Sequence, residues 1–334
     1  MKCLKPDYYD KFHCLASSCP DNCCQQWDID LDPETVRYYK RLAGPLGDQI
    51  RRNMKETEDG GIMTLKDGRC PMFRTDGLCE IQAQLGHSAL SAVCQEFPRL
   101  HHDYGSFMEL GLELSCPEAA RLILSAPWSV RSADIPGGTD PEYDQELMNT
   151  LLRTRRDFFQ YLDTASLSLP QILAVLLIFG YEVQSEIDGG ESAELTPEAN
   201  LHDAAQYAAV PDFSAVIEFF LSLEILTPQW EALLKDVTSE SCWNPCHKAL
   251  LRYLVGRYWL QAVSDYDLVS RIKFMIVSCI LVSHLKGDTI AAAQLFSKEI
   301  ENDVDNVDAI LDACYTSSAF TDVNLLSLLL HQTQ

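Results

Sequence analysis

The sequence predicts a mainly α protein, in which an N-terminal cysteine-rich metal-binding domain with short strands is followed by an α-helical bundle domain. Three observations predict it. Cys14, Cys19, Cys23, Cys24, Cys70, Cys79, Cys94 and Cys116 crowd into about a third of the chain, whereas only Cys242, Cys246, Cys279 and Cys314 follow. Beyond residue 140, Asp140-Pro141, Thr196-Pro197, Thr227-Pro228 and Asn244-Pro245 each set a capping residue before a proline, the pairing that opens helices. In the same region apolar residues recur three and four apart, as in Leu147, Leu151, Phe158 and Leu162, in Leu251, Val255, Tyr258 and Ala262, and in Leu268, Ile272, Met275, Cys279 and Val282.

A chain of 334 residues is long for one hydrophobic core. We therefore expect two domains, a cysteine domain over 1–124 and an acidic helical domain over 141–334. The stretch from Ser125 to Asp140, with Pro127, Pro136, Gly137 and Gly138, reads as an irregular boundary between them.

Taken in order, residues 1–31 show no clear periodicity and read as a loop-rich binding segment. Asp32-Pro33-Glu34 then supplies an N-cap, a proline at the first helical position and an early acid, for a helix that ends at Gly44. A second short helix is expected near Asp48 to Glu56, broken by Asp59-Gly60-Gly61. Ile62 to Cys70 reads as a strand entering an Asp67-Gly68 turn, and Thr75 to Cys79 as a second tight turn, so Cys70 and Cys79 flank a turn-rich knuckle. His87 to Gln95 is expected to be a helix with Cys94 facing inward, stopped by Pro98. Ser106 to Ser115 reads as a strand. Pro117 then opens a helix that places Cys116 at its N-terminus, where the dipole favours thiolate.

The N-terminus has no apolar signal-peptide core, because Lys2, Lys5, Asp7 and Asp10 interrupt it, and no apolar run approaches the ~20 residues of a membrane span. These features predict a cytoplasmic protein with no membrane span. In a reducing compartment thirteen cysteines do not make a disulfide framework, so the clustered eight point to metal or redox chemistry. Soft thiolates bind zinc or iron–sulfur clusters, four closing a site of either kind. Paired zinc-ribbon knuckles are lacking apart from Cys19-x3-Cys23, and Cys19, Cys70 and Cys116 precede proline as in some ferredoxin runs. The spacing therefore favours iron–sulfur, with zinc the alternative.

Other chemistries lack their motifs. No Gly-x-Gly-x-x-Gly follows a strand, no P-loop is present, and Cys19 and Cys23 do not continue into a Cys-x3-Cys-x2-Cys run, since Gln26 stands at the third position. A net charge of −23 argues against nucleic acid. The charge is uneven. Residues 1–130 carry 14 basic and 19 acidic side chains, and residues 131–334 carry 12 and 30; between Arg156 and Lys235 stand no Lys or Arg and thirteen acids. Such a surface would draw a lysine-bearing partner, though solubility alone also accounts for it.

With these residues in view the chain resembles the flagellin lysine-N-methylases, within a wider group of iron- or zinc-chelating cysteine-cluster proteins. The resemblance is carried by Cys14, Cys19, Cys23-Cys24, Cys70-Pro-Met-Phe with Gly77-Leu-Cys79-Glu-Ile81, Cys94-Gln-Glu-Phe97-Pro98-Arg99 and Cys116-Pro117-Glu118. It extends into the helical half through Cys242-Trp-Asn-Pro-Cys246-His247. The resemblance implies transfer of methyl groups from S-adenosylmethionine to lysine ε-amines of flagellin, by an enzyme carrying a 4Fe-4S cluster.

Methylating lysine requires a neutral amine, alignment with the donor and exclusion of water. Asp21, Asp28, Glu96, Tyr104, Glu109 and Glu113 are the candidate proton acceptors in the cysteine half, and Trp27, Phe73, Phe97 and Tyr104 the candidate faces for an adenine or a sulfonium. None stands out in the sequence, which assigns no catalytic or donor-binding residue. Cys242, Cys246 and His247 form a partial metal set without a fourth ligand, and His101-His102 reads as a loop pair. The competing reading is a non-enzymatic zinc- or iron-binding protein whose acidic helices dock a basic partner. Oligomeric state is not encoded in any of these features.

Overall fold

The computed structural model describes residues 1–25, 29–207 and 209–331. Fifteen α-helices and seven short strands are present among the described residues. The strands form two sheets. In the larger one, β1 (Lys2–Pro6) lies between β6 (Phe107–Leu112), to which it runs parallel, and β7 (Val130–Asp134), to which it runs antiparallel; β5 (Arg99–Asp103) pairs antiparallel with the outer edge of β6. The smaller sheet joins β2 (Ile29–Leu31), β4 (Gly60–Met63) and β3 (Met54–Thr57), all antiparallel.

The cysteine-bearing segment has a small core of its own. Ile29, Leu31, Val36, Tyr39, Leu46, Ile50, Met63, Met72 and Leu90 pack together with Cys70. Its helix Pro33–Arg41 starts where Asp32 and Pro33 place it. The Asp32 carboxylate accepts from the Thr35 amide at 2.9 Å and hydroxyl at 2.7 Å, and from the Ala92 amide at 3.0 Å. Partial burial raises the Asp32 pKa, but those hydrogen bonds to the charged form outweigh it and hold the carboxyl at about 2. One side chain thus caps a helix and fixes the position of the segment bearing Cys94.

The second core is far larger. It takes in Tyr8, Phe12, Leu112, Leu114, Cys116, Ala119, Ala120, Ile123 and Leu124 together with the stripes Leu147–Leu151–Phe158–Leu162 and Leu250–Leu251–Leu254–Val255–Tyr258. The expected segments 1–124 and 141–334 therefore share one core, while the small core lies within 29–90. At the centre runs helix Val269–His284, whose sixteen residues are all buried. Such a helix is surrounded on every side, and its charged members are neutralised in place: Lys273 reaches Asp322 at 2.7 Å and the Cys314 carbonyl at 3.1 Å, and Arg271 reaches Asp265 at 2.8 Å. Among the described residues no helix is long and apolar enough to cross a membrane.

Six local expectations need correction. Residues 1–31, read as loop-rich, contain β1 in the interior of the larger sheet, and His101-His102, read as a loop pair, lie in β5. The second helix runs Gly44–Asn53, earlier than expected, because Met54–Thr57 is taken by the hairpin with β4. His87 to Gln95 is divided into a 3-10 turn, His87–Ala89, and a short helix, Ala92–Glu96, with Leu90 and Ser91 extended between them. Asp140-Pro141 does not open a helix; Asp144 caps Gln145–Thr164 instead, accepting from the Glu146 and Leu147 amides. The supposedly irregular 125–140 stretch contains β7, which pairs along the whole of β1.

Candidate functional site

Tertiary folding sorts the eight clustered thiols into two groups. Cys24, Cys70, Cys79 and Cys94 line one cavity of about 20 Å³ together with Tyr39, Ser91 and apolar side chains of the small core. Their placement follows from local structure. The Cys70 amide donates to the Cys24 carbonyl at 2.9 Å, Cys79 bridges back to Phe73 and caps helix Glu80–Leu85, and Cys94 lies within Ala92–Glu96. Cys14, Cys19 and Cys116 form the second group, close enough that Cys14 adds to the rise burial gives the Cys19 pKa and that both add to the rise of Cys116. Cys23 stands between the groups, exposed, and its sulfur accepts from the Cys24 thiol, which lowers the Cys23 pKa to about 7.

Burial governs the other thiols. It pushes Cys70 up to about 11 and Cys94 up to about 12, and raises Cys79 despite the Gln82 and Ile81 amides. Cys116 caps helix Pro117–Leu124 as expected, yet burial outweighs the Ala119 and Glu118 amides and takes its pKa to about 12. The expected helix-terminal thiolate is thus not formed by the protein alone; a cation would have to supply the stabilising charge.

Four soft thiols around one cavity are the donor number and type that zinc or an iron–sulfur centre takes. A volume near 20 Å³ has room for one ion-sized sphere, so a cubane would need the walls to move outward. Among the described residues, no three His, Cys, Asp or Glu side chains already stand as a metal's ligand set.

The cysteine loops are tied to the helical core by one buried lysine. Lys298 Nζ lies 2.6 Å from Asp21 Oδ1, and Gln294 Nε2 donates both to Asp21 Oδ2 at 3.0 Å and to the Ser115 carbonyl at 2.7 Å. Lys298 and Gln294 thereby hold the Cys19–Cys23 loop and the turn before Cys116 against the same stretch of chain.

A second, larger cavity of about 340 Å³ opens between the four-stranded sheet and helices Gln145–Thr164 and Pro245–Tyr258. Its charges are paired. Arg155 grips Glu109 with two hydrogen bonds, one of 3.0 Å, and Arg257 lies 3.3 Å from the wholly buried Glu301, whose oxygens also accept from Tyr253 and Tyr258. Burial lowers the pKa of His102, chiefly, with Arg257 adding to it, so the imidazole is neutral at pH 7; its Nε2 is buried without a hydrogen-bond partner among the described residues. Burial raises Glu113, which faces Arg257.

Of the acid–base candidates, Asp21 is engaged by Lys298, Glu109 by Arg155, and Tyr104 is stacked on Phe107 at 4.8 Å. Glu96 lies near His101 at 3.9 Å on the surface. Phe73 is covered by Arg69 and Phe97 packs on the large core; Trp27 and Asp28 lie outside the described residues. His247 is turned to Asn244 through Nδ1 as part of a capping box, its Nε2 buried without a hydrogen-bond partner among the described residues, and it forms no ligand set with Cys242 and Cys246. Arg155, Tyr253, Arg257 and Glu301 were not singled out by sequence. The signals available were Gly111 inside a strand and Gly256 inside a helix.

A stretch of 130 residues, 37% of this chain, is 36% identical to proteins named Lysine-N-methylase from Salmonella typhimurium and Salmonella choleraesuis, covering 32% of each. The same length is 36% identical to a protein named Flagellar biosynthetic protein FliU from Salmonella muenchen, and covers 77% of it. The chain thus spans about a third of the length of the lysine-N-methylases it matches, and the aligned stretch is shorter than the expected whole-chain similarity. No protein-family model matches the chain, and no solved structure is a significant match.

Proposed function

The chain belongs to the family of the flagellar biosynthetic protein FliU, and from that premise we propose that it is a protein-lysine N-methyltransferase that moves methyl groups from S-adenosylmethionine to lysine ε-amines of flagellin in the cytoplasm. The observation that carries the reading is the 36% identity to proteins named Lysine-N-methylase. The chemistry of the larger cavity supports it. A lysine amine must shed a proton before it can act as a nucleophile, and His102, neutral with Nε2 unengaged, is the group suited to receive it. Cys24, Cys70, Cys79 and Cys94 are the proposed ligands of a metal centre, a 4Fe-4S cluster if the cavity walls move outward to admit it, with zinc, which the cavity takes as it stands, the alternative. When bound, such a centre supplies the positive charge that the buried thiols lack and locks the small core. The exposed acids of the helical half, among them Asp188, Glu191, Glu194, Glu198 and Asp203, would speed the approach of a lysine-bearing substrate.

One observation favours a second reading, a non-enzymatic zinc or iron protein that docks a basic partner: the cysteine cavity is small, with room for a single ion between four thiols, as a purely structural site needs. Protein purified without oxygen, analysed for metal and sulfide and then incubated with S-adenosylmethionine and flagellin, separates the two. Lysines heavier by one or more methylene masses in the mass spectrum support the transferase. Unmodified flagellin from metal-replete protein overturns it.

A further inference from the structure

Two glycines stand on facing walls of the larger cavity, each where a side chain would fit. On the sheet, one lateral row pairs Leu100 with Gly111 and the next runs His102–Glu109–Leu4. Gly111 is the gap in the first row, and a Cβ placed on it would meet nothing nearer than Leu100 at 3.7 Å, an ordinary contact. Across the cavity Gly256 sits in the interior of helix Pro245–Tyr258, and a Cβ there would meet nothing within 4 Å. Neither residue has the positive φ that would call for glycine. Glycine inside a helix or strand costs backbone entropy and packs nothing, so neither local geometry nor packing accounts for it at these two positions. What the pair accomplishes is an opening of about 340 Å³ between them, within the range of small-molecule sites.

The lining narrows the class of occupant. Trp128 and Phe159 contribute flat apolar walls, held by Arg252, whose guanidinium lies 5.0 Å and 4.9 Å from their ring centres. Arg155 and Arg257 reach the lining already bonded to Glu109, the Gly256 carbonyl, Tyr253 and Glu301, so the polar atom left unengaged among these three residues is His102 Nε2. An extended lysine side chain has no flat ring for the walls. An adenosyl sulfonium has one in its purine.

We propose that the cavity between Gly111 and Gly256 is the seat of the methyl donor, an adenosyl sulfonium with its purine against Trp128 and Phe159. The proposal rests on the methyltransferase reading above. With the donor there, the lysine nitrogen attacks the sulfonium methyl carbon. The ammonium first gives a proton to His102 Nε2; the C–N bond then forms as the C–S bond breaks, the bonding pair stays on sulfur as a neutral thioether, and the positive charge ends on the methylated ammonium.

The test uses S-adenosylhomocysteine, the product of transfer, as probe in calorimetric titrations of full-length protein purified without oxygen, comparing wild type with Gly111→Leu, Gly256→Leu and Gly256→Ala. Gly256→Ala should melt at or above the wild-type temperature, because it relieves a helix-interior glycine. Both leucine variants should lose at least tenfold in affinity, with Gly256→Ala between. Unchanged affinity in both leucine variants, or no binding by wild type, overturns the seat. Variants that lose affinity in step with cavity filling, while wild type transfers no methyl to flagellin, would leave the seat standing and sink the reaction instead. Methyl transfer that survives cavity filling would do the reverse.

Discussion

Replacing Lys298 by methionine tests whether the cysteine loops depend on the helical core. The side chain is 2% exposed and its ammonium sits 2.6 Å from Asp21, which is itself 30% exposed. Removing one partner of a fully buried pair costs about 3–5 kcal/mol. Here the carboxylate left behind can draw on water and still accepts from Gln294 at 3.0 Å, and methionine keeps most of the stem's packing. The loss should accordingly be about 2 kcal/mol, or roughly a 4 °C fall in melting temperature for a chain of this size. The local effect should be sharper than the global one. Peptides spanning 14–24 should exchange amide hydrogens faster in Lys298→Met, while helix Val269–His284, buried throughout, should not. Asp21→Asn gives the second edge of a double-mutant cycle. If the two side chains act as a pair, the double variant should be about 1–2 kcal/mol more stable than the sum of single losses predicts, well outside the ~0.5 kcal/mol within which independent sites add. Strict additivity, or unchanged exchange in 14–24, would refute the reasoning.

Two further outcomes follow from the same structure. Cys94→Ser should lower the metal content of anaerobically purified protein by more than half, whereas Cys242→Ser, exposed and remote from the thiol-lined cavity, should leave it within error; equal losses from both would count against the proposed ligands. Burial chiefly lowers the pKa of His247, so the folded state resists a proton that the unfolded chain takes near pH 6.5. Its contribution to stability is complete above pH 6.5 and is lost as pH falls through the lower folded value. Buried Glu113 and Glu299, whose pKa values are raised, pull the other way, and the sign for His247 is read from a variant: in thermal melts, His247→Gln should narrow the drop in melting temperature from pH 7.5 to pH 5.5 or widen any rise, and a change in the opposite sense would show that the imidazole is not held neutral.

The helices were legible because their signals are local. Periodicity at Leu147–Leu162 and caps at Asp32, Thr227 and Asn244 need only neighbouring residues, and the structure uses each of them. Strand β7 was not legible, and its side chains explain why. All five are exposed, so no apolar alternation marks it; it is held by backbone pairing to a strand more than a hundred residues earlier. The cysteine cluster was plain as composition, yet its division into two groups depends on how the Cys24–Cys70 ladder and the short helix at Cys94 fold together. The larger cavity was hidden for the same reason, since Glu109, Arg155 and Arg257 come from three elements and meet through tertiary packing. Charge shows the limit most clearly. Counting acids between Arg156 and Lys235 gives thirteen without distinction, but Asp163 pairs with Arg252, Glu186 with Arg153, and Glu182 accepts from Asn200. Those carboxylates are committed to holding the fold. Attraction for a basic substrate must rest on the exposed remainder around Asp188 to Asp203, so substitutions there should alter its rate of encounter and salt dependence while leaving the folded core as it is.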